Sequence, residues 1–130
     1  MSFAEPRFRL SEQQLDDQTT VVTVRGEIHV STAPEFSRLL TEAVTAGRTR
    51  MVLDLTDVEF IDSTGLSVLL NALRRVTRAG GRMALVCTNP TVMRLFEITK
   101  LDATFDIHAE VGPALAQVQA GAGDTTSGMP

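Results

Sequence analysis

The sequence predicts an α/β domain with a mixed, mostly parallel central sheet, an N-terminal hairpin and about four helices. Two strand-like runs come first with no helix between them, and each later strand-like run is followed by an amphipathic segment with helical spacing. Such alternation is typical of parallel strands joined by right-handed helical crossovers. The 130 residues are enough for one compact domain. We assign the domain to residues 1–119 and a flexible tail to residues 120–130.

The first two strands are predicted to form the hairpin. Residues 8–10 alternate between apolar and polar side chains, which is typical of a half-buried strand. The β-branched run at residues 20–24 predicts a central strand, and Asp16 and Asp17 supply a polar turn between the two. Gly26 is expected to end the second strand or to form a bulge in it.

The first helix is predicted to follow a loop at residues 27–32, with Ser31 or Thr32 as its cap. Apolar side chains then recur at helical spacing through residues 36–44, so that one face of the helix is apolar. Gly47 is expected to end this helix.

The second half of the chain repeats the alternation of strand and helix. A strand at residues 51–55 and a loop at residues 56–62 precede a long helix at residues 63–79, which Gly80 and Gly81 end. The remaining elements are a strand at residues 83–87, a short helix from Pro90, an edge strand at residues 105–107 and a weak helix at residues 111–118.

The two loops at residues 27–32 and 56–62 are the expected functional surface. Both follow parallel strands at their carboxyl ends, where ligands and partners of such sheets usually bind. The loops are neighbours if the strands before them pair.

Composition and charge exclude several classes of function. The net charge of −4 gives the domain as a whole no attraction to nucleic acid or to a membrane surface. No apolar run reaches the roughly 20 residues that cross a bilayer, so we expect a cytoplasmic protein. Cys87 is the only cysteine, which excludes an internal disulfide, and we expect it to be a buried apolar residue.

The sequence offers no pattern for catalysis or for a cofactor. Residues 62–66 lack the glycine-flanked elbow of serine hydrolases, and neither His29 nor His108 belongs to a triad pattern. There is no phosphate-binding glycine loop and no cysteine or histidine spacing typical of a metal site. A receiver-like domain phosphorylated on Asp54 or Asp57 is a weaker alternative, because the acids after the first strand belong to a hairpin turn and Lys100 ends a helix.

Residues 62–66, Asp-Ser-Thr-Gly-Leu, are the most informative stretch of the chain. They place the small hydroxyl of Ser63 at the start of a helix, where free backbone N–H groups and the helix dipole favour an anion. Asp62 is expected to cap the helix or to orient the hydroxyl. Gly65 permits a close approach, either to the interior or to a partner.

Three stretches resemble the STAS-domain anti-sigma factor antagonists, small bacterial proteins that bind serine kinases acting as anti-sigma factors. Residues 24–33 are similar to the family's strand with its Gly-Glu-(Leu/Ile)-Asp segment. Residues 58–66 match its Asp-Ser-(Ser/Thr)-Gly-Leu phosphorylation motif, and residues 90–96 are similar to its helix after the following strand. With the matching order of elements, the resemblance covers roughly residues 8 to 118 and implies a single STAS-type domain.

The resemblance implies a partner-switching mechanism in the regulation of transcription and stress responses. The unphosphorylated protein would bind an anti-sigma serine kinase and release a sigma factor, and phosphorylation of Ser63 would end the binding. A metal-dependent serine phosphatase would restore the active form, and the free protein is expected to be a monomer. The residues expected to bind the partner are Glu27, His29, Ser31, Thr32, Asp57, Asp62, Ser63, Thr64, Gly65 and Leu66.

One residue departs from the family pattern, and one alternative function stays open. His29 stands where the family commonly has an aspartate, which replaces an acceptor-only group with one that can also donate a hydrogen bond. The alternative function is a STAS scaffold module in a larger stressosome-like or nucleotide-responsive assembly. The four arginines Arg74, Arg75, Arg78 and Arg82 are either a solvated face or a secondary docking surface.

Overall fold

The computed structural model describes the backbone of residues 8–127 and the side chains of residues 8–120. It contains one five-stranded sheet in the order β1-β2-β3-β4-β5, in which β1 is antiparallel to β2 and the other neighbouring pairs are parallel. This confirms the predicted α/β class, the N-terminal hairpin and the mixed sheet. The elements are β1 (Phe8–Gln14), β2 (Thr19–Ile28), α1 (Ala33–Thr45), β3 (Arg50–Ile61), α2 (Ser63–Arg78), β4 (Arg82–Val86), α3 (Pro90–Ile98), a 3₁₀ turn (Leu101–Ala103), β5 (Asp106–His108) and α4 (Val111–Ser127).

The hairpin turn between β1 and β2 is closed by Asp16. Its Oδ1 accepts hydrogen bonds from the backbone N–H groups of Gln18 at 2.9 Å and Thr19 at 2.8 Å. These two bonds hold the pKa of the Asp16 carboxyl below its ordinary value, because they favour the charged form. The polar turn that the sequence predicted is therefore a side-chain-capped turn.

Strands β2 and β3 are longer than predicted. The predicted loop at residues 27–32 starts two residues too early, because β2 runs to Ile28, and the predicted loop at residues 56–62 was wrong except at Asp62, because β3 runs to Ile61. Their pairing shifts register twice, once after Thr23 and once after Gly26, where φ is +97°. Strand β2 does not end at Gly26, and the extra residue at that shift is Glu59 of β3, so the bulge lies opposite Gly26 and not in β2 as predicted. The irregular register hides the alternation that marks a strand in the sequence.

The core lies on both faces of the sheet. Helices α1, α2 and α3 cover one face, where Phe36, Leu69 and Phe96 are completely buried. Helix α4 covers part of the other face through Ala114 and Val118, which pack with the smaller strand residues Val21, Val52, Ala84 and Val86. Cys87 is buried as predicted, and burial raises the pKa of its thiol.

Helix α4 differs from the prediction. It was expected to end near Val118, but its backbone continues as a helix to Ser127, and residues 128–130 lie outside the described part of the chain. The guanidinium groups of Arg50 and Arg82 donate hydrogen bonds to the carbonyl oxygens of Val118 and Gln117, at 2.8 and 3.3 Å. These long-range contacts fasten α4 to the sheet.

The start of β4 requires a close backbone approach. Helix α2 ends before Gly80, whose φ is +81°, as predicted for a left-handed helix terminus. A Cβ at Gly81 would lie 2.0 Å from the carbonyl oxygen of Thr49, so only glycine fits beside the start of β3.

Within the described residues, no helix is long and apolar enough to cross a membrane.

Candidate functional site

Ser63 is the first residue of α2, and it is exposed. Asp62 precedes it in an extended conformation, and the Asp62 Oδ1 accepts a hydrogen bond from the backbone N–H of Gly65 at 3.1 Å. This contact satisfies an amide at the helix start that has no partner within the helix. The sequence predicted the cap and the exposed serine at these two positions, and the structure has both there.

Gly65 and Leu66 face the interior, although both were expected to bind the partner. Leu66 is 6 % exposed and belongs to the main core. A Cβ built on Gly65 would lie 2.6 Å from Ile61 Cγ1 and 2.8 Å from Ile28 Cγ2. Of the two explanations for this glycine, the structure therefore favours close packing inside, which seats the start of α2 against the ends of β2 and β3.

The segment between β2 and α1 is held by Thr32. Its hydroxyl donates to the Glu27 carbonyl oxygen at 2.8 Å and accepts from the backbone N–H of His29 at 2.9 Å. Thr32 occupies the N-cap position of α1, one of the two positions predicted for the cap, but its side chain makes no capping hydrogen bond to the helix. Its hydroxyl instead closes the turn that carries His29 and Ser31.

The imidazole of His29 lies between two groups of its own segment. Its Nδ1 accepts a hydrogen bond from the backbone N–H of Ser31 at 3.2 Å, so a neutral ring carries its proton on Nε2. That Nε2 is 3.6 Å from Oε1 of Glu27, and both side chains are about one third exposed. The ring is thus held between a backbone amide and a carboxylate of its own segment.

The two predicted segments are brought together by the backbone. The Cα of Glu27 is paired with that of Phe60, and Ile28 with Ile61, in the parallel ladder of β2 and β3. The backbone N–H of Asp62 donates to the carbonyl oxygen of Ile28 at 3.1 Å. The turn at residues 29–32 thus lies beside the start of α2, as the sequence predicted for neighbouring strands.

Two large apolar side chains are exposed on these segments, and neither is among the predicted partner-binding residues. Val30 is 69 % exposed at the tip of the turn, and Phe60 is 43 % exposed near the end of β3. Phe60 was assigned to a loop because the bulge at Glu59 breaks the alternation of β3. Each directly follows a polar residue next to a candidate site, Val30 after His29 and Phe60 after Glu59, which was the available signal.

Asp57 lies farther from the helix start than the other candidates. Its Cα pairs with that of Arg25 in the ladder, and its carboxylate is 3.6 Å from the guanidinium of that arginine. Thr64 follows Ser63 in the first turn of α2 and is half-buried. Among the candidate residues outside α2, those of the turn at residues 29–32 therefore lie nearest to Ser63, because the pairing of β2 with β3 brings this turn beside the start of α2.

The four arginines singled out in the sequence do not form one cluster. Arg74, Arg75 and Arg78 are exposed on α2. Arg82 starts β4 and donates its hydrogen bond to α4, so it has a structural contact elsewhere.

Both histidines lie within the described residues and contact neighbouring groups of the protein. His108 Nε2 is hydrogen-bonded to Gln117 Oε1, and His29 is engaged by Ser31 and Glu27. Over residues 8–120, no group of three or more histidine, cysteine, aspartate or glutamate side chains could hold a metal ion. What the site offers is an exposed serine hydroxyl within a surface of mixed apolar and charged residues.

Comparison with known proteins places this geometry in a family. The family model of the STAS domain matches residues 11–114. The anti-sigma-B factor antagonist of Bacillus subtilis is 35 % identical over 89 residues, which cover 68 % of this chain and 81 % of that protein. A crystal structure of an anti-sigma factor antagonist from Mycobacterium paratuberculosis superposes with a TM-score of 0.78 at 29 % identity, over 86 % of this chain and 94 % of that chain.

A further structure shares the fold alone. The anti-sigma factor antagonist SpoIIAA in its unphosphorylated form has a TM-score of 0.74 at 23 % identity, covering 87 % of this chain and 96 % of that chain. The sheet with its N-terminal hairpin and the four helices agree with that fold.

Proposed function

The chain belongs to the STAS domain family, and from this premise we propose that it is an anti-sigma factor antagonist switched by phosphorylation of Ser63. Unphosphorylated, it binds an anti-sigma serine kinase and so releases a sigma factor. The kinase then transfers phosphate to Ser63, and the complex dissociates. The protein acts by binding rather than by catalysis, in the cytoplasm, and as a monomer when free.

The observation that carries the proposal is the position of Ser63. Its side chain is exposed as the first residue of α2, next to the turn at residues 29–32. In the transfer step the serine oxygen bonds to the γ-phosphorus of ATP as the bond to ADP breaks, and a base of the kinase takes the hydroxyl proton. This requires a hydroxyl that another protein's active centre can reach.

The surroundings of Ser63 explain why a phosphate would end the binding. Phosphoserine carries about −1.5 to −2 charges at pH 7. The Asp62 carboxylate already accepts the N–H of Gly65, so one of the amides that could neutralise a phosphate is occupied. A partner that fits a neutral hydroxyl beside Asp62 would have to desolvate the dianion, and a penalty of about 3 kcal/mol weakens binding roughly 100-fold.

The adjoining turn supplies the rest of the proposed binding surface. Val30 offers exposed apolar area, and Ser31, His29 and Glu27 offer hydrogen-bonding groups around it. An interface with an apolar centre and a polar rim is typical of specific protein complexes. SpoIIAA, which has the same fold, is known in an unphosphorylated and in a phosphorylated form. This supports a switch of this kind.

The proposal is tested with the anti-sigma factors encoded in the same genome, each purified and measured for binding. Ser63→Ala is expected to bind one of them as wild type does and to resist release by ATP, whereas Ser63→Asp is expected to bind about 100-fold more weakly. Incubation with that kinase and ATP should add one phosphate, located at Ser63 by mass spectrometry. A metal-dependent serine phosphatase should then remove it.

Ser11 provides the matched control, because it is an exposed serine on β1, outside the proposed binding surface. Ser11→Asp adds the same charge to the protein but leaves α2 and the adjoining turn unchanged. Its affinity should stay close to that of wild type. Equal affinity of Ser63→Asp and Ser63→Ala, or phosphorylation at a residue other than Ser63, would refute the proposal.

A further inference from the structure

The exposed side of α2 forms one polar stripe from Ser63 to the end of the helix. At 3.6 residues per turn, Ser63, Ser67, Arg74 and Arg78 fall on the same side of the helix, with Asn71 beside them. All five residues are exposed. The opposite side carries the buried residues Gly65, Leu66, Leu69, Ala72 and Val76.

The basic end of this stripe is not neutralised by the protein itself. Helix α2 contains three arginines and no acidic residue, although the chain has a net charge of −4. Among the described residues, Arg74, Arg75 and Arg78 form no ion pair, and Arg74 Nη1 reaches only the Asn71 Oδ1 at 3.5 Å. By contrast, Arg25 and Arg48 are paired with Asp57 and Glu12.

The helix dipole accounts for only part of this arrangement. Cations in the last turn, here Arg75 and Arg78, stabilise a helix through its dipole. That effect does not depend on which side of the helix carries the charge. It therefore does not explain why Arg74 and Arg78 share the side of Ser63.

We propose that the anti-sigma factor that engages Ser63 lies along α2 and places an acidic surface against Arg74, Arg75 and Arg78. This inference rests on the proposed function and names the chemistry of the partner. The charge of these arginines fits an acidic patch, and the stripe makes them continuous with the proposed binding surface around Ser63. They have no aromatic side chains among them on α2, unlike the stacking surfaces that bind single-stranded nucleic acid.

The distances agree with one protein interface. Arg74 lies about 16 Å from Ser63 along the helix axis at a rise of 1.5 Å per residue. An interface of standard size buries about 800 Å² on each partner, which is a patch about 16 Å in radius. Arg78 lies about 22 Å from Ser63 by the same rise, so a partner centred midway along the stripe covers Ser63 and the three arginines within that radius.

Charges at the edge of an interface act mainly on the rate of association. Complementary charges steer the encounter and can raise the association rate at least tenfold at low ionic strength. Salt removes the effect, because the screening length falls from about 10 Å at 0.1 M to about 3 Å at 1 M. The arginines are thus expected to control how fast the partner binds and which partner binds.

The experiment compares variants by stopped-flow association with the anti-sigma factor that binds Ser63→Ala, at several salt concentrations. Arg74→Glu/Arg78→Glu should associate at least tenfold more slowly in low salt and approach the wild-type rate near 1 M salt. Arg74→Lys/Arg78→Lys keeps the charge and should associate at nearly the wild-type rate. Thermal unfolding of each variant verifies that α2 is intact.

Arg94 supplies the matched control for net charge. It is an exposed arginine on α3, and Arg94→Glu changes the charge of the protein as much as Arg78→Glu does. Arg94→Glu should change the association rate less than Arg78→Glu. An acidic residue of the partner whose change to arginine restores the rate with Arg78→Glu would identify the contact.

The outcomes separate this inference from the proposed function. If Ser63→Asp abolishes binding but the double glutamate variant keeps the wild-type rate and salt dependence, the acidic partner surface is refuted and the switch stands. If Ser63→Asp binds as Ser63→Ala does, or no anti-sigma factor binds, both proposals fall. Binding of a fluorescent oligonucleotide by wild type that the double glutamate variant loses would assign the arginines to nucleic acid and overturn the inference.

Discussion

Replacing Gly65 with alanine tests how the start of α2 is seated. The added methyl group would lie 2.6 Å from Ile61 Cγ1 and 2.8 Å from Ile28 Cγ2, both closer than real Cβ contacts. Ile61 is 4 % exposed and Ile28 is fully buried, so neither side chain can move into water. Inserting a methyl group into such a packed site costs typically about 1–3 kcal/mol.

Helix propensity opposes this loss without cancelling it. Alanine is favoured over glycine in a helix interior by about 1 kcal/mol, and less in the first turn, where Gly65 lies. We therefore expect Gly65→Ala to lose about 1–2 kcal/mol of unfolding free energy. With a urea dependence of about 2 kcal/mol per M, the unfolding midpoint would fall by roughly 0.5–1 M.

Ser67 is the control for this substitution. It lies on α2 and is exposed, so an alanine there adds no group to the core. Ser67→Ala should leave the urea midpoint unchanged or raise it. A Gly65→Ala protein as stable as Ser67→Ala would refute the argument that Gly65 is required for close packing.

The other predictions concern three single side chains. Asp62→Ala should cost about 0.5–2 kcal/mol in urea unfolding because the Gly65 N–H loses its cap, whereas Asp62→Asn, which keeps an acceptor, should lose less; equal losses would contradict the capping role. Cys87 should resist alkylation in the folded protein and react on unfolding, since its thiol is buried and its pKa is raised; rapid labelling without denaturant would contradict this. The lowered pKa of Asp16 means that its carboxylate stabilises the fold at neutral pH and that this stabilisation is lost as the pH falls through the lowered value. The difference in melting temperature between wild type and Asp16→Ala should therefore shrink below pH 3.8, and a difference that is the same at pH 7 and pH 2 would count against the turn.

The sequence predicted those parts of the fold that depend on local signals. Asp62 was expected at the start of α2, and its carboxylate accepts a hydrogen bond from an amide of the first turn. Capping depends on residues close together in the chain, so it can be inferred from composition and spacing. The exposed position of Ser63 followed from the same local signal.

Features that depend on long-range contacts were not predictable in this way. Residues 56–60 include three polar side chains, so they were assigned to a loop, but pairing with β2 keeps them in β3. Thr32 stands at the N-cap of α1, where Ser31 or Thr32 was expected, but its hydroxyl bonds to Glu27 and His29 of its own turn and not to the helix. The glycines at residues 121 and 123 suggested an early end to α4, yet its backbone continues as a helix past them.

The hydrogen bond between the Asp62 N–H and the Ile28 carbonyl joins two backbones rather than two side chains. The position of the serine is consequently independent of the identity of the residues at the tip of the neighbouring turn, where Val30 and Ser31 are exposed. Natural selection could exchange those tip residues, and with them the choice of cognate protein, while the modified hydroxyl stayed where it is. Paralogues within one genome could diverge in pairing by this route and keep a common chemistry of switching.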